Sequence, residues 1–197
     1  MDSVYVIGRD CVPSAIRLGE GESIRWTFVV LPGVSCNLCV EINLDGPGAS
    51  ADIAGLYLSG AQEDVRINVL LKHNSGGCRS TQLFKGIVGG SARATFDGLV
   101  YVAQDAMRTV AHQENHTILL SDTARVESRP QLEIYADDVE CSHGATTGFL
   151  NPDELFYMRS RGIPEAEAKR LQIISFVAPV LERLPEDIKA RVYESLD

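Results

Sequence analysis

The chain has 197 residues, 45% hydrophobic and 23% charged, a composition that suits one folded domain with or without a small appendage. Its net charge of −9 repels phosphate backbones and anionic lipid, so neither nucleic acid nor a membrane surface is expected as a partner. The apolar stretch around Trp26–Val34 is too short and interrupted to span a bilayer. The opening residues lack the basic and apolar regions of a signal peptide, and five cysteines, an odd number, fit a reducing compartment, so a cytoplasmic location is expected.

From Ser3 to about Ser142 the chain reads as many short strands. Ile24/Trp26/Phe28/Val30, Val40/Ile42/Leu44 and Val65/Ile67/Val69/Leu71 alternate apolar with other residues at a period of two, as do Ala92/Ala94/Phe96 and Leu132/Ile134/Ala136. Clusters of Gly, Asn and Asp, such as Asp45–Gly48 and Asn74–Gly77, fall between the runs and mark turns. Evenly spaced short strands permit a sandwich, a barrel or a β-solenoid, and no strict hexapeptide or nonapeptide repeat selects one.

After Gly148 the pattern turns helical. Asn151 is placed as an N-cap with Pro152 behind it, Leu155, Met158 and Phe156 would form the buried side, and Gly162 would end this helix. Pro164 opens a second helix whose apolar stripe is Ile174, Val177, Leu181 and Leu184, and Pro185 a third with Ile188, Val192 and Leu196 on one face. The expected division is a β body over 1–148 and a helical unit over 149–197.

Common catalytic signatures are absent from the sequence: no Walker A loop, no GxGxxG and no GxSxG. The chain is therefore not expected to bind nucleotide or to act as an enzyme alone. Cys36 and Cys39 have CxxC spacing but no second ligand pair, and read as structural cysteines. His112 and His116, four apart among strands, lie about 13 Å from one another in an extended chain and read as polar solenoid or turn residues. Asp97, Asp122 and Asp137–Asp138 offer carboxylates for a polysaccharide-cleaving pair, but adjacent residues on a strand point to opposite faces. Cys141 and His143 are different: two apart in an extended chain, they point the same way with Cα atoms about 7 Å apart. Thiolate and imidazole are natural ligands for iron, zinc or a nascent cluster. The alternative is a cysteine packed in the last β-layer and a histidine holding the β-to-helix corner.

The segments Asn115–Asp122 and Ser128–Gly148, the latter with Pro-x-Leu-x-Ile-x-Ala-Asp-Asp and Cys-Ser-His-Gly-Ala-Thr, resemble the C-terminal region of the SufB/SufD family. The similarity continues through Glu154–Ile163 and is prefigured by His73, Ser80, Phe84-Lys85-Gly86 and Phe96-Asp97-Gly98. It covers about residues 73–183, while residues 1–72 share only strand character. The resemblance implies a right-handed parallel β-helix followed by a helical domain, and a role as a SufD-like scaffold subunit in iron–sulfur cluster assembly. It implies a SufC-like ABC ATPase bound to the tail over about 149–183, and a SufB-like subunit or a second copy paired through the β-helix. His143, with Cys141, matches the positions the family places near a transient cluster, or its iron and sulfide. An interaction subunit that binds the ATPase or itself without handling a cluster is the alternative role.

Overall fold

The computed structural model describes residues 1–196. Eleven strands come first: β1 (Asp2–Val6), β2 (Ala15–Leu18), β3 (Ser23–Val30), β4 (Cys36–Leu44), β5 (Ser50–Ser59), β6 (Asp64–His73), β7 (Arg79–Val88), β8 (Arg93–Val102), β9 (Thr109–Leu119), β10 (Arg125–Ile134) and β11 (Val139–Phe149). Three helices follow: α1 (Pro152–Ser160), α2 (Glu165–Leu181) and α3 (Glu186–Glu194). Odd strands form a six-stranded sheet in the order β1-β3-β5-β7-β9-β11, and even strands a five-stranded sheet in the order β10-β8-β6-β4-β2. Every neighbouring pair is parallel. A chain that visits the two sheets alternately and always in the same direction is a coil, here a parallel β-solenoid of about five turns.

One turn is close to 30 residues long: Thr81 reaches Asp52 of the preceding turn, 29 residues back, and Gln113 reaches Gln82, 31 back. The repeat hidden from the sequence is a backbone one. Extending the strand registers into the corner before each strand of the first sheet stacks Gly21, Gly48, Gly77 and Arg108, with φ of +65°, +70°, +71° and +59°. This left-handed conformation suits glycine and strains a side-chain-bearing residue, so three of four rungs carry glycine there.

The interior between the sheets is filled by alternate residues of every strand, among them Trp26, Phe28, Ile42, Leu44, Ile53, Leu71, Phe84 and Phe96. Gly86 leaves space for the Tyr57 ring, which a Cβ would strike. The outer face of the first sheet is also apolar. Val29, Ala54, Leu56, Leu58 and Ile87 lie under Ile173, Val177, Val180 and Leu181 of α2, with Leu184 of the following turn and Ile188 and Val192 of α3. This explains β5, whose Ser-Ala-Asp-Ile-Ala-Gly-Leu-Tyr-Leu-Ser run is buried almost without alternation: a parallel strand covered on both faces needs apolar residues on both. Arg183 fastens the tail to the sheet through Asp52 at 2.8 Å. By contrast the outer face of the second sheet is uncovered, and β6 alternates strictly.

The helices begin where expected. Asn151 accepts from the backbone N–H groups of Asp153 and Glu154, and Gly162 takes a φ of +86° just past α1. Two details differ from the sequence reading. α1 has no buried residue: Leu155 and Met158 are half-buried and Phe156 is 74% exposed, because α1 stands off the sheet and touches mainly α2. In α2 the buried stripe runs through Ile173 and Val180 rather than Ile174, since the sheet, not the apolar spacing, fixes how the helix is rotated.

Candidate functional site

β11 is the last strand of the first sheet, with a free outer edge. Its register sets Cys141, His143, Ala145, Thr147 and Phe149 directly on Ala111, Gln113, Asn115, Thr117 and Leu119 of β9. Ala111, Gln113, Asn115 and Thr117 are buried, so alternate β11 residues share the inward face of the solenoid. Among the described residues no further rung covers them, and His143, Ala145, Thr147 and Phe149 are exposed while Cys141 is half-buried. The two candidate ligands therefore sit side by side on the open end of the solenoid. Burial pushes the Cys141 thiol up, the Ala111 backbone opposes this and the Glu140 charge adds to it. Cys141 is thus a protonated thiol at neutral pH, which a soft metal would have to deprotonate on binding.

Behind this end the interior turns polar. Nε2 of His73 shares a 2.9 Å hydrogen bond with the Ser80 hydroxyl. Gln113 Nε2 donates to Gln82 Oε1 at 3.2 Å. The Tyr57 hydroxyl donates to Asn115 Oδ1 at 3.1 Å and meets the Thr117 hydroxyl at 2.6 Å, while Asn115 Nδ2 donates to the Ser128 hydroxyl at 2.9 Å. Burial pushes the His73 imidazole down to about 4 and the Tyr57 hydroxyl up to about 12, so both stay neutral at physiological pH. Of this array the family resemblance covers His73, Ser80, Asn115, Thr117 and Ser128 without giving them a role, and the sequence reading passes over Tyr57, Gln82 and Gln113. The missed signal was β9, whose Ala-His-Gln-Glu-Asn-His-Thr run is polar at both parities, which forces one polar set inward.

The remaining candidates separate. Cys36 is half-buried against the interior and Cys39 is exposed on the outer face, because positions three apart on a strand face opposite ways. Cys78 is buried and donates to the Gly46 carbonyl at 3.3 Å, and Cys11 is exposed between β1 and β2. His112 and His116 lie on the outer face of β9, each 2.7 Å from a β11 hydroxyl, of Ser142 and Thr146 respectively. Asp97 faces Arg129 on the second sheet, whereas Asp122, Asp137 and Asp138 lie in connections outside the strands. Among the described residues no three His, Cys, Asp or Glu side chains converge as a metal site.

Beside β11, α1 and α2 frame a groove of about 680 Å³ whose lining includes Ile118, Phe149, Leu150, Tyr157, Met158 and Phe176. Phe156 and Tyr157 are exposed on α1, and Leu171 on α2. No described helix is long and apolar enough to cross a membrane.

Fold and site together define a parallel β-solenoid with a docked helical tail, whose last rung displays a thiol and an imidazole and runs at its far end into an apolar helical groove. Residues 10–176 match the SufBD core domain of the SUF system for FeS cluster assembly, and the chain belongs to that SufBD family. The match reaches well upstream of residue 73, so the early strands share more with the family than strand character. Over 144 residues, 73% of the chain, it is 42% identical to the iron–sulfur cluster assembly protein SufD of Escherichia coli. It is 43% identical over 134 residues to a SufBD family protein of Synechocystis, and 32% identical over 180 residues, 91% of the chain, to SufD of Bacillus subtilis. These alignments span 34%, 29% and 41% of the relatives' own lengths.

Proposed function

We propose that the chain serves as a SufD-like scaffold component of iron–sulfur cluster assembly, without catalytic activity of its own, in the cytoplasm. The observation that carries this reading is the placement of Cys141 and His143, side by side on the uncovered last rung of a SufBD core. Two ligands do not complete an iron site, so further ligands come from a subunit laid against that rung, and the nascent cluster is cargo held between the two. The free edge of β11 suits such pairing. Its eleven residues include no lysine and no proline, the usual devices that blunt an edge, whereas β10 beside it carries Pro130. A SufB-like subunit is the partner this reading favours, and a second copy the alternative.

The tail is assigned to a SufC-like ABC ATPase, supported by the exposed Phe156, Tyr157 and Leu171 around the groove. An interaction subunit that binds the ATPase but handles no cluster would use the same surface, and His143 separates the two roles. The test is anaerobic co-purification with SufC-type and SufB-type proteins of the same source, comparing wild type with His143→Ala for bound iron and sulfide. The expected result is an intact complex with strongly reduced cluster content in the variant. Unchanged cluster content would leave only the interaction role, and failure to retain the ATPase would remove the docking assignment.

A further inference from the structure

Beneath His143 runs a column of inward-facing residues in one continuous register: Trp26, Ile53, Gln82, Gln113 and His143. Two apolar rungs give way to two amides and then an imidazole at the surface. Successive rungs of a parallel sheet stand about 4.8 Å apart, the spacing at which stacked glutamine amides hydrogen-bond from strand to strand. Gln82 and Gln113 make that bond, and both side chains are buried. Gly98 on the facing strand leaves the room it needs, since a Cβ there would stand 2.5 Å from Gln113 Nε2.

The ladder ends with one acceptor unused. Gln113 Oε1 is buried and has no hydrogen-bond partner. Its amide nitrogen is committed to Gln82, so the oxygen is the atom left for the next rung, and the next rung is His143. His143 is exposed and its side chain makes no hydrogen bond among the described residues. A buried carbonyl without a donor is destabilising, and the neighbouring imidazole is the group on the next rung able to donate to it.

We propose that Gln113 is the positioning residue for His143, its Oε1 accepting a hydrogen bond from one ring nitrogen. The inference rests on the cluster-assembly reading for its purpose but not for its geometry. Donation to Gln113 fixes the tautomer and turns the other ring nitrogen, with its lone pair, away from the interior toward the uncovered end. That is the arrangement a metal-binding histidine requires, and a carbonyl oxygen is a common partner for its second nitrogen. Gln82 in turn holds the Gln113 amide, so the buried ladder preorganises an otherwise exposed ligand.

The test is imidazole ¹⁵N–¹H correlation spectroscopy on the full chain at alkaline pH, with the His143 signals assigned by their loss in His143→Ala. Wild type is expected to show one fixed tautomer at His143. Gln113→Leu is expected to give a tautomer mixture, and Gln113→Glu, which restores an acceptor facing the free Gln82 amide nitrogen, to return a single tautomer. In the co-purified complex, Gln113→Leu is expected to lower cluster content about tenfold. A tautomer mixture in wild type would overturn the proposal without recourse to any variant that fails to fold, as would a His143 pattern unaltered by Gln113→Leu. An altered pattern together with full cluster content in His143→Ala would instead overturn the cluster-assembly reading and leave the hydrogen bond standing.

Discussion

Two regions of the solenoid interior are packed in opposite ways. At the first rung Tyr5 lies over the interior, stacked on Phe28 at 5.8 Å and edge-on to Trp26 at 5.5 Å, and Trp26 is fully buried beneath it. At the last rung the residues beneath the surface are Gln113, Asn115 and Thr117, and those above them are exposed. Around Tyr5 the aromatic rings pack on one another within the chain. The polar rung carrying a thiol and an imidazole is left open, and under the scaffold reading it is completed by a second subunit. The two regions differ less in strand geometry than in what their inward-facing side chains are asked to do.

Trp26→Ala strikes the aromatic region and is expected to have the largest effect, lowering the unfolding free energy by about 3–5 kcal/mol in chemical denaturation. A loss well under 1 kcal/mol would mean that the aromatic cluster is not what holds this region together. The polar half of the interior should instead be the acid-sensitive part. The folded-state value of His73 is depressed to about 4 by burial, so the unfolded chain takes up a proton first as pH falls. The stability held by neutral His73 is present above the unfolded value of about 6.5 and is lost progressively down to about pH 4, on the order of 3 kcal/mol in all. Denaturation midpoints measured across that window should flatten in His73→Leu relative to wild type, and equal slopes would contradict the assignment.

Tyr57→Phe removes the hydroxyl that serves Asn115 and Thr117 and is expected to cost about 1–2 kcal/mol, read by the shift in denaturation midpoint. A neutral result would show that the polar array holds water rather than itself together. The smallest effect is expected at the open end. His143→Ala should change stability by about 1 kcal/mol or less, because the side chain is exposed and only its proposed hydrogen bond to Gln113 Oε1 is lost, while removing cluster from the complex. A larger stability loss would make His143 a structural residue and blur the contrast between the two regions.

Much of this was legible beforehand. Period-two alternation located strands such as β3, β4 and β6, and Asn151, Gly162 and Pro164 placed the helix boundaries, because these signals are local: a face, a cap, a φ angle. The adjacency of Cys141 and His143 followed from their spacing alone. Sandwich, barrel and solenoid remained equivalent on periodicity, since the pairing of one strand with another is not written in either. The resemblance of residues 73–183 to the SufB/SufD family selected the solenoid, and the parallel registers bear it out. The corner stack of Gly21, Gly48, Gly77 and Arg108 is a repeat in backbone conformation, and its fourth member hides it from any search for a repeated residue.

Strand runs, helix caps and the pair of candidate ligands are local properties, each set by neighbours a few residues away. Which way those residues look depends on how one turn packs on the next. Register turned Gln113, Asn115 and Thr117 inward and His112 and His116 outward, and chose Cys36 rather than Cys39 for the interior face. The rotation of α2 was likewise set by the sheet beneath it, which buried Ile173 in place of Ile174. The reason is common to all of these: a small change of register or rotation turns a side chain to another face, and its energy is decided by residues remote in the chain, 29 to 31 positions away between turns of the solenoid and 131 between Asp52 and Arg183.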